Sequence, residues 1–210
     1  MRAVAILLCL CPLGLATELF SWHAVDTRAL SKGRLELNLH HRTRTRHELG
    51  YLDQSRVGPV ARWTLNPRLT LIGGYYFQPQ QIRPKTWSEG QRFFAGVEAP
   101  LLNRSGSALS FRGFAERHIN TGRPDYNRYR TSVRWTLGKG RFKPFVQNEL
   151  LAVQQGWHST RNSGGVSFRL SPVASMDVSY LYDSRRAFWG GDRQSIVTSV
   201  RWTPQISRRR

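Results

Sequence analysis

A two-residue period governs this chain. In Arg130-Thr131-Ser132-Val133-Arg134-Trp135-Thr136-Leu137, the side chains Thr131, Val133, Trp135 and Leu137 take one side of an extended strand. Arg130, Ser132, Arg134 and Thr136 take the other. One face is apolar and the other basic. The same alternation sets Leu35, Leu37 and Leu39 against Arg34, Glu36, Asn38 and His40, and puts Leu69, Leu71, Tyr75 and Phe77 on one face. Gly164, Val166, Phe168 and Leu170 oppose Ser163, Ser167 and Arg169, and Met176, Val178, Tyr180 and Tyr182 oppose Asp177, Ser179 and Asp183. Ile196, Thr198, Val200 and Trp202 oppose Ser195, Ser199 and Arg201. Less regular strands are predicted at 56–65, 88–98, 108–118 and 142–153, which brings the number to ten, with no convincing amphipathic helix between them.

The connections alternate in length. Tight turns are predicted at Asn66-Pro67, Gly138-Lys139-Gly140 and Ser171-Pro172, with a somewhat longer one near Pro100 to Gly106. The connections around 43–55, 78–87, 119–126, 154–160 and 184–192 are longer and rich in Arg, His, Gln, Pro and Gly. Short turns at one end and long loops at the other are the pattern of an all-β, antiparallel up-and-down transmembrane β-barrel, with the short turns in the periplasm. Ten strands return the C-terminus to that side.

Length and composition agree with one folded body: 210 residues, 40% apolar and 11% aromatic. The 32 Lys+Arg against 13 Asp+Glu leave a net charge of +19, which excludes an acidic solvating chain and favours anionic partners. Cys9 and Cys11 are the only cysteines, so a zinc site, redox pair or disulfide framework in the body is excluded. The opening supplies a basic start at Met1-Arg2, an apolar run from Ala3 to Leu13 broken at Pro12, and small residues at Gly14-Leu15-Ala16. We read residues 1–16 as a signal peptide cleaved after Ala16, the alternative being an uncleaved anchor. Leu8 and Leu10 stand where lipidation of either cysteine needs a small residue. Residues 17–202 then form the barrel and 203–210, ending in Arg208-Arg209-Arg210, a basic tail. The expected location is the cell outer membrane, with lipid and lipopolysaccharide as partners, a monomeric state, and neither cofactor nor metal. Nucleic acid is not expected, because an exported chain seldom meets it.

A short fragment recurs: Val60-Ala61-Arg62-Trp63-Thr64-Leu65, Ser132-Val133-Arg134-Trp135-Thr136-Leu137 and Ser199-Val200-Arg201-Trp202-Thr203-Pro204. In each, Arg faces the polar side and Trp the apolar side near a short turn or the terminus. Tryptophan suits a membrane interface, its ring being apolar and its N–H still seeking water. Trp63, Trp135 and Trp202 at one end, and Trp87, Trp157 and Trp189 beside the long loops, are expected to form two girdles. The alternative is a water-soluble sandwich or barrel with Trp and Val in a closed core, which would have to expose its Arg-rich face everywhere.

Several short motifs in order resemble one bacterial family. They are Trp22, Leu35-Glu36-Leu37 leading to Arg42, Leu71-Ile72-Gly73-Gly74-Tyr75-Tyr76, Ala115-Glu116-Arg117-His118, Tyr126-Asn127-Arg128-Tyr129-Arg130, Gln147-Asn148-Glu149 and Arg161-Asn162-Ser163-Gly164-Gly165. Together they span most of residues 20–202 and resemble the domain-of-unknown-function family numbered 2490. Ser163 stands where that pattern has Arg or Lys. The resemblance implies an outer-membrane β-barrel and no reaction. It also implies an extra first strand around Trp22, raising the count as far as twelve.

Inside such a barrel Arg34, Arg62, Arg92, Arg112, Arg130, Arg134, Arg169 and Arg201 point into the lumen with Glu36, Glu98, Glu116, Glu149, Asp177 and Asp183. Paired, they make a plug; with their positive excess, they make a narrow anion-selective channel. The loops carry Arg42, Arg44, Arg46 and His47, then Arg83 and Lys85, Arg117, His118 and Arg123, and Arg185, Arg186 and Arg193. Arg42, Arg44, Arg46, Arg83, Lys85, Arg185 and Arg186 are candidates for contact with lipid A phosphates or acidic sugars, since guanidinium donates in a planar fork. A solvated charged rim is the alternative. For a lipid-modifying hydrolase the best constellation is His158-Ser159-Thr160 with Asn162, where the matching hydroxyl is Thr160. His118 near Glu116 and Asp125 is similar to part of an outer-membrane protease site, but two groups in a loop do not make one. The expected role is structural or surface-binding rather than enzymatic, with anion passage second and hydrolysis third.

Overall fold

The computed structural model describes residues 18–46, 51–83, 86–122, 124–186 and 191–204. The signal peptide, His47, Lys85, Arg123, Trp189 and the end of the basic tail lie outside the described residues, as does the side chain of Arg83. Thirteen strands are described, in chain order: β1 (Glu18–Lys32), β2 (Leu35–Arg46), β3 (Tyr51–Asn66), β4 (Leu69–Phe77), β5 (Gln80–Arg83), β6 (Thr86–Ser88), β7 (Gly90–Arg104), β8 (Ser107–Asn120), β9 (Tyr126–Leu137), β10 (Phe142–Val153), β11 (Gly156–Ser171), β12 (Ala174–Arg185) and β13 (Arg193–Trp202). All ten strands read from the periodicity are present, most of them longer at their loop ends.

The strands close into an eleven-stranded barrel, with β5 and β6 forming a separate hairpin beside β3. The expected count of ten is therefore corrected, and so is a purely antiparallel order. β1 is an added strand that pairs in parallel with β13, Glu18 opposite Arg193 and Thr27 opposite Trp202, and antiparallel with β2. An odd number of strands forces this seam, because the first and last must then run the same way. Glu18 consequently sits at the loop end of the barrel and Trp202 at the turn end. Periodicity missed β1 because its pattern is inverted. Phe20, Trp22 and Ala24 are buried inside, while Leu19 and Val25 alternate with Ser21 and His23 outside.

Two predicted loops also contract. The connection expected over 154–160 is a two-residue turn, with Gly156 at φ 110, a conformation open to glycine, starting β11. The connection expected over 43–55 is short because alternation continues through Arg46 and resumes at Tyr51.

The apolar faces point outward. Leu39, Val57, Trp63, Phe93, Tyr129, Val133, Phe142, Leu150, Leu170 and Ile196 are all exposed. From Phe142, opposite Phe168, to Ala152, opposite Trp157, this surface runs eleven residues along β10, interrupted midway by Asn148, which donates to Asn162 on the same outer face at 2.8 Å. At about 3.3 Å per residue and a tilt of about 40°, it forms a band about 25 Å tall.

Inward, the Phe94 and Phe114 rings pack over Gly74 and Gly96, where the wall lacks side chains. A Cβ on Gly96 would lie 2.0 Å from the carbonyl oxygen of Gly113 and 2.6 Å from the Phe114 ring. Neither a strand backbone nor a packed ring can yield that much. Gly96→Val is expected to abolish folding, seen as loss of the cooperative unfolding transition followed by circular dichroism.

Candidate functional site

Strand alternation carries every second side chain of the barrel into the lumen, and many of these are charged. Glu116 on β8 has a side chain with 0% exposure and meets Arg128 at 2.6 Å, Arg130 at 3.4 Å and Arg92 more closely still. His118, two residues along the same strand, approaches it at 3.3 Å and stacks on Tyr126. Arg130 reaches on to Glu149 at 3.6 Å, Glu149 accepts from Arg161 at 3.0 Å, and Arg161 and Arg185 share Asp183 at 3.2 and 3.0 Å. A second chain of pairs lies nearer the turns: Arg28 with Glu36 at 3.1 Å, Arg62 and Arg112 with Glu98 at 2.9 and 2.5 Å, and Arg134 with Asp177 at 2.8 Å. At the loop end Arg44 pairs with Asp53, and Glu18 joins Arg193 at 2.7 Å to Arg46 at 3.6 Å.

Aromatic rings complete this packing. Tyr76 stacks on Phe94 with centroids 4.9 Å apart, and Phe114 meets Phe94 edge-on. Guanidinium groups lie over their faces, Arg134 at 3.7 Å from the centre of Phe145, Arg130 at 4.8 Å from Phe114 and Arg56 at 4.6 Å from Tyr76. Arg134 and Arg130 also pair with carboxylates, and Arg56 donates to the His40 ring.

The lumen is not uniform along its axis. Phe20, Asp53, His118, Leu151, Ser159, Asp183 and Ser195 are each 3% exposed or less and form a dense layer at the loop end. None of them lines the cavity beneath, which has a volume of about 410 Å³ and reaches Arg201 and Thr203 at the turn end of β13. Ten arginines and five carboxylates line it. A neighbouring recess shares Arg201 and Thr203 and adds Arg141, Lys143 and Arg169, with no carboxylate in its wall. The site is therefore a cup, stoppered towards the loops and open towards the turns.

Most residues assigned to the lumen from sequence are brought together here: Glu36, Arg62, Arg92, Glu98, Arg112, Arg130, Arg134, Glu149 and Arg201 line the cavity and Glu116 lies in the network above it. Arg169 faces the turn-end recess. Arg34 sits at the turn-end rim, donating to the Leu65 carbonyl at 3.2 Å. Arg42, Arg44 and Arg46, assigned to a loop, lie on β2 instead, and their guanidinium groups stand over Trp22 and Phe20. Arg185 is likewise on a strand and bound to Asp183, whereas Arg186 is exposed just beyond β12. Asp26, Asp53, Arg56 and Arg128 went unassigned, although continued alternation of β3 back into the supposed loop would have found Asp53; His40 stands on the polar face read for its strand, and Arg193, assigned to a loop, begins β13. Of the tryptophans, Trp63, Trp135 and Trp202 are exposed outside at the turn end and Trp87 and Trp157 at the loop end.

The hydrolase constellation is divided by the sheet. Thr160 and Asn162 share the outer face of β11 with Val166 and Phe168, while Ser159 is fully buried inside, 3.1 Å from His158 Nδ1. Asp125 pairs with Arg117 rather than His118.

A family model described as "Protein of unknown function (DUF2490)" matches residues 21–194. No curated protein matches the chain.

Proposed function

We propose a role for a chain that belongs to the DUF2490 family of proteins of unknown function: it is an outer-membrane β-barrel whose lumen is stoppered on the loop side and serves as a blind cup facing the periplasm. The observation that carries this is the inversion of polarity, an exposed apolar belt outside and buried ion pairs inside. A barrel in water gains from the opposite arrangement, since exposed apolar surface of this extent costs about 25 cal/mol per Å². Lipid removes that cost, and tryptophans exposed near both ends of the belt suit its two interfaces. The stopper favours a structural or binding role over passage. Conduction would require water and ions to cross a layer of side chains with 0 to 3% exposure.

The test is direct. The purified chain is expected to require detergent, to migrate faster on gels when unboiled, and to give no single-channel conductance in planar bilayers. A monodisperse, detergent-free protein in plain buffer would overturn the membrane reading; steady anion-selective current would overturn the stopper.

A further inference from the structure

We infer that the cup binds a small soluble molecule through an oxyanion group, a phosphate or carboxylate, seated between Arg42 and Arg56. The two residues are direct cross-strand partners on β2 and β3, and both line the cavity. Like charges placed opposite each other in a sheet repel. Every other arginine of the cavity wall except Arg201 has a carboxylate within 4.0 Å, but among the described residues Arg42 and Arg56 have none. Arg56 is only 8% exposed and its Nε has no hydrogen-bond partner, nor has that of Arg42. A buried guanidinium with no carboxylate in contact is costly, and a folded chain that keeps Arg56 so, beside a half-buried Arg42 in the same condition, calls for an anion to complete them.

The surroundings fit that occupant. Arg42 lies 5.0 Å from the Trp22 ring centre and Arg56 lies 4.6 Å from that of Tyr76, so both faces are braced and the planar edges are left for acceptor oxygens. His40 adds no competing negative charge. Its Nδ1 lies 2.6 Å from the Asp26 carboxylate, to which it donates as a neutral ring, and its Nε2 lies 3.3 Å from an Arg56 terminal nitrogen, from which it accepts. At the mouth Arg141, Lys143, Arg169 and Arg201 form a cationic approach without a carboxylate among them. A cavity of about 410 Å³ admits a metabolite-sized molecule and not a polymer.

This inference rests on the cup of the proposed function but not on the membrane around it. Calorimetric titration of the refolded full chain in an uncharged maltoside detergent, with inorganic phosphate and with benzoate, tests it. Wild type is expected to bind at least one probe saturably, and the Arg42→Gln/Arg56→Gln double variant to bind it at least tenfold more weakly. Arg104→Gln, at the exposed turn end of β7, is expected to match wild type. Absence of saturable binding, or equal affinity in the double variant, would overturn the site. So would binding confined to a short-chain phosphatidic acid, which would move the oxyanion from a soluble molecule to a lipid. Should the double variant fail to fold, the wild-type melting midpoint decides: it is expected to rise with phosphate and not with chloride at equal ionic strength, and an equal rise with both overturns the proposal. A barrel that conducts ions yet loses probe affinity in the double variant would break the stopper and keep the site.

Discussion

Glu116→Gln is expected to destabilise the barrel by about 3–5 kcal/mol, measured by urea unfolding in detergent or lipid. The carboxylate has 0% side-chain exposure and is shared by Arg92, Arg128 and Arg130. Neutralising it removes a negative charge that three cations share, of which only Arg130 also reaches another carboxylate, Glu149, and leaves them repelling one another where water screens poorly. Glu116→Asp, which keeps the charge and shortens the reach, is expected to lose much less. A loss below about 1 kcal/mol for Glu116→Gln, the size of an exposed pair, would mean that water penetrates the stopper.

Val133→Arg is expected to cost about 2–4 kcal/mol when the barrel folds into lipid vesicles, while Val133→Leu stays near wild type. Val133 is 40% exposed on the outer face of β9, midway between Tyr129 near the loops and Leu137 at the turn. In hydrocarbon an arginine there must be dehydrated or must bend the bilayer to reach water; on a surface bathed in water the same change stays within about 0.5 kcal/mol. A neutral Val133→Arg would therefore remove the membrane reading. The Glu116 result would survive it, because the interior network is indifferent to what wets the outside.

Much of the barrel was legible because its signal is local. An alternating strand with one apolar and one charged face declares its own sidedness, and in β4 and β10 the boundaries read from sequence coincide with those in the structure. Legibility failed where the alternation changed sense. In β1 the inward face is Phe20, Trp22 and Ala24, so a search for basic interiors passes over it; at Arg42, Arg44 and Arg46 a run of charge looks like a loop although every second residue is threonine or histidine. The individual luminal charges could be assigned an inward direction, but their partners could not.

The sequence by itself determined that the chain is all-β, that Trp63, Trp135 and Trp202 take the apolar face of their strands, and that the opposite face is rich in arginine. These follow from the pleat, which sends neighbouring side chains to opposite sides whatever the strands go on to pair with. Only the tertiary structure decided that eleven strands close the barrel through a parallel β1–β13 seam, that Glu116 gathers arginines from three positions on two other strands, and that Arg42 and Arg56 face each other without a carboxylate. The physical reason is that closure and register depend on which strand ends meet across the whole chain: Glu18 finds Arg193 only once every strand between them has taken its place.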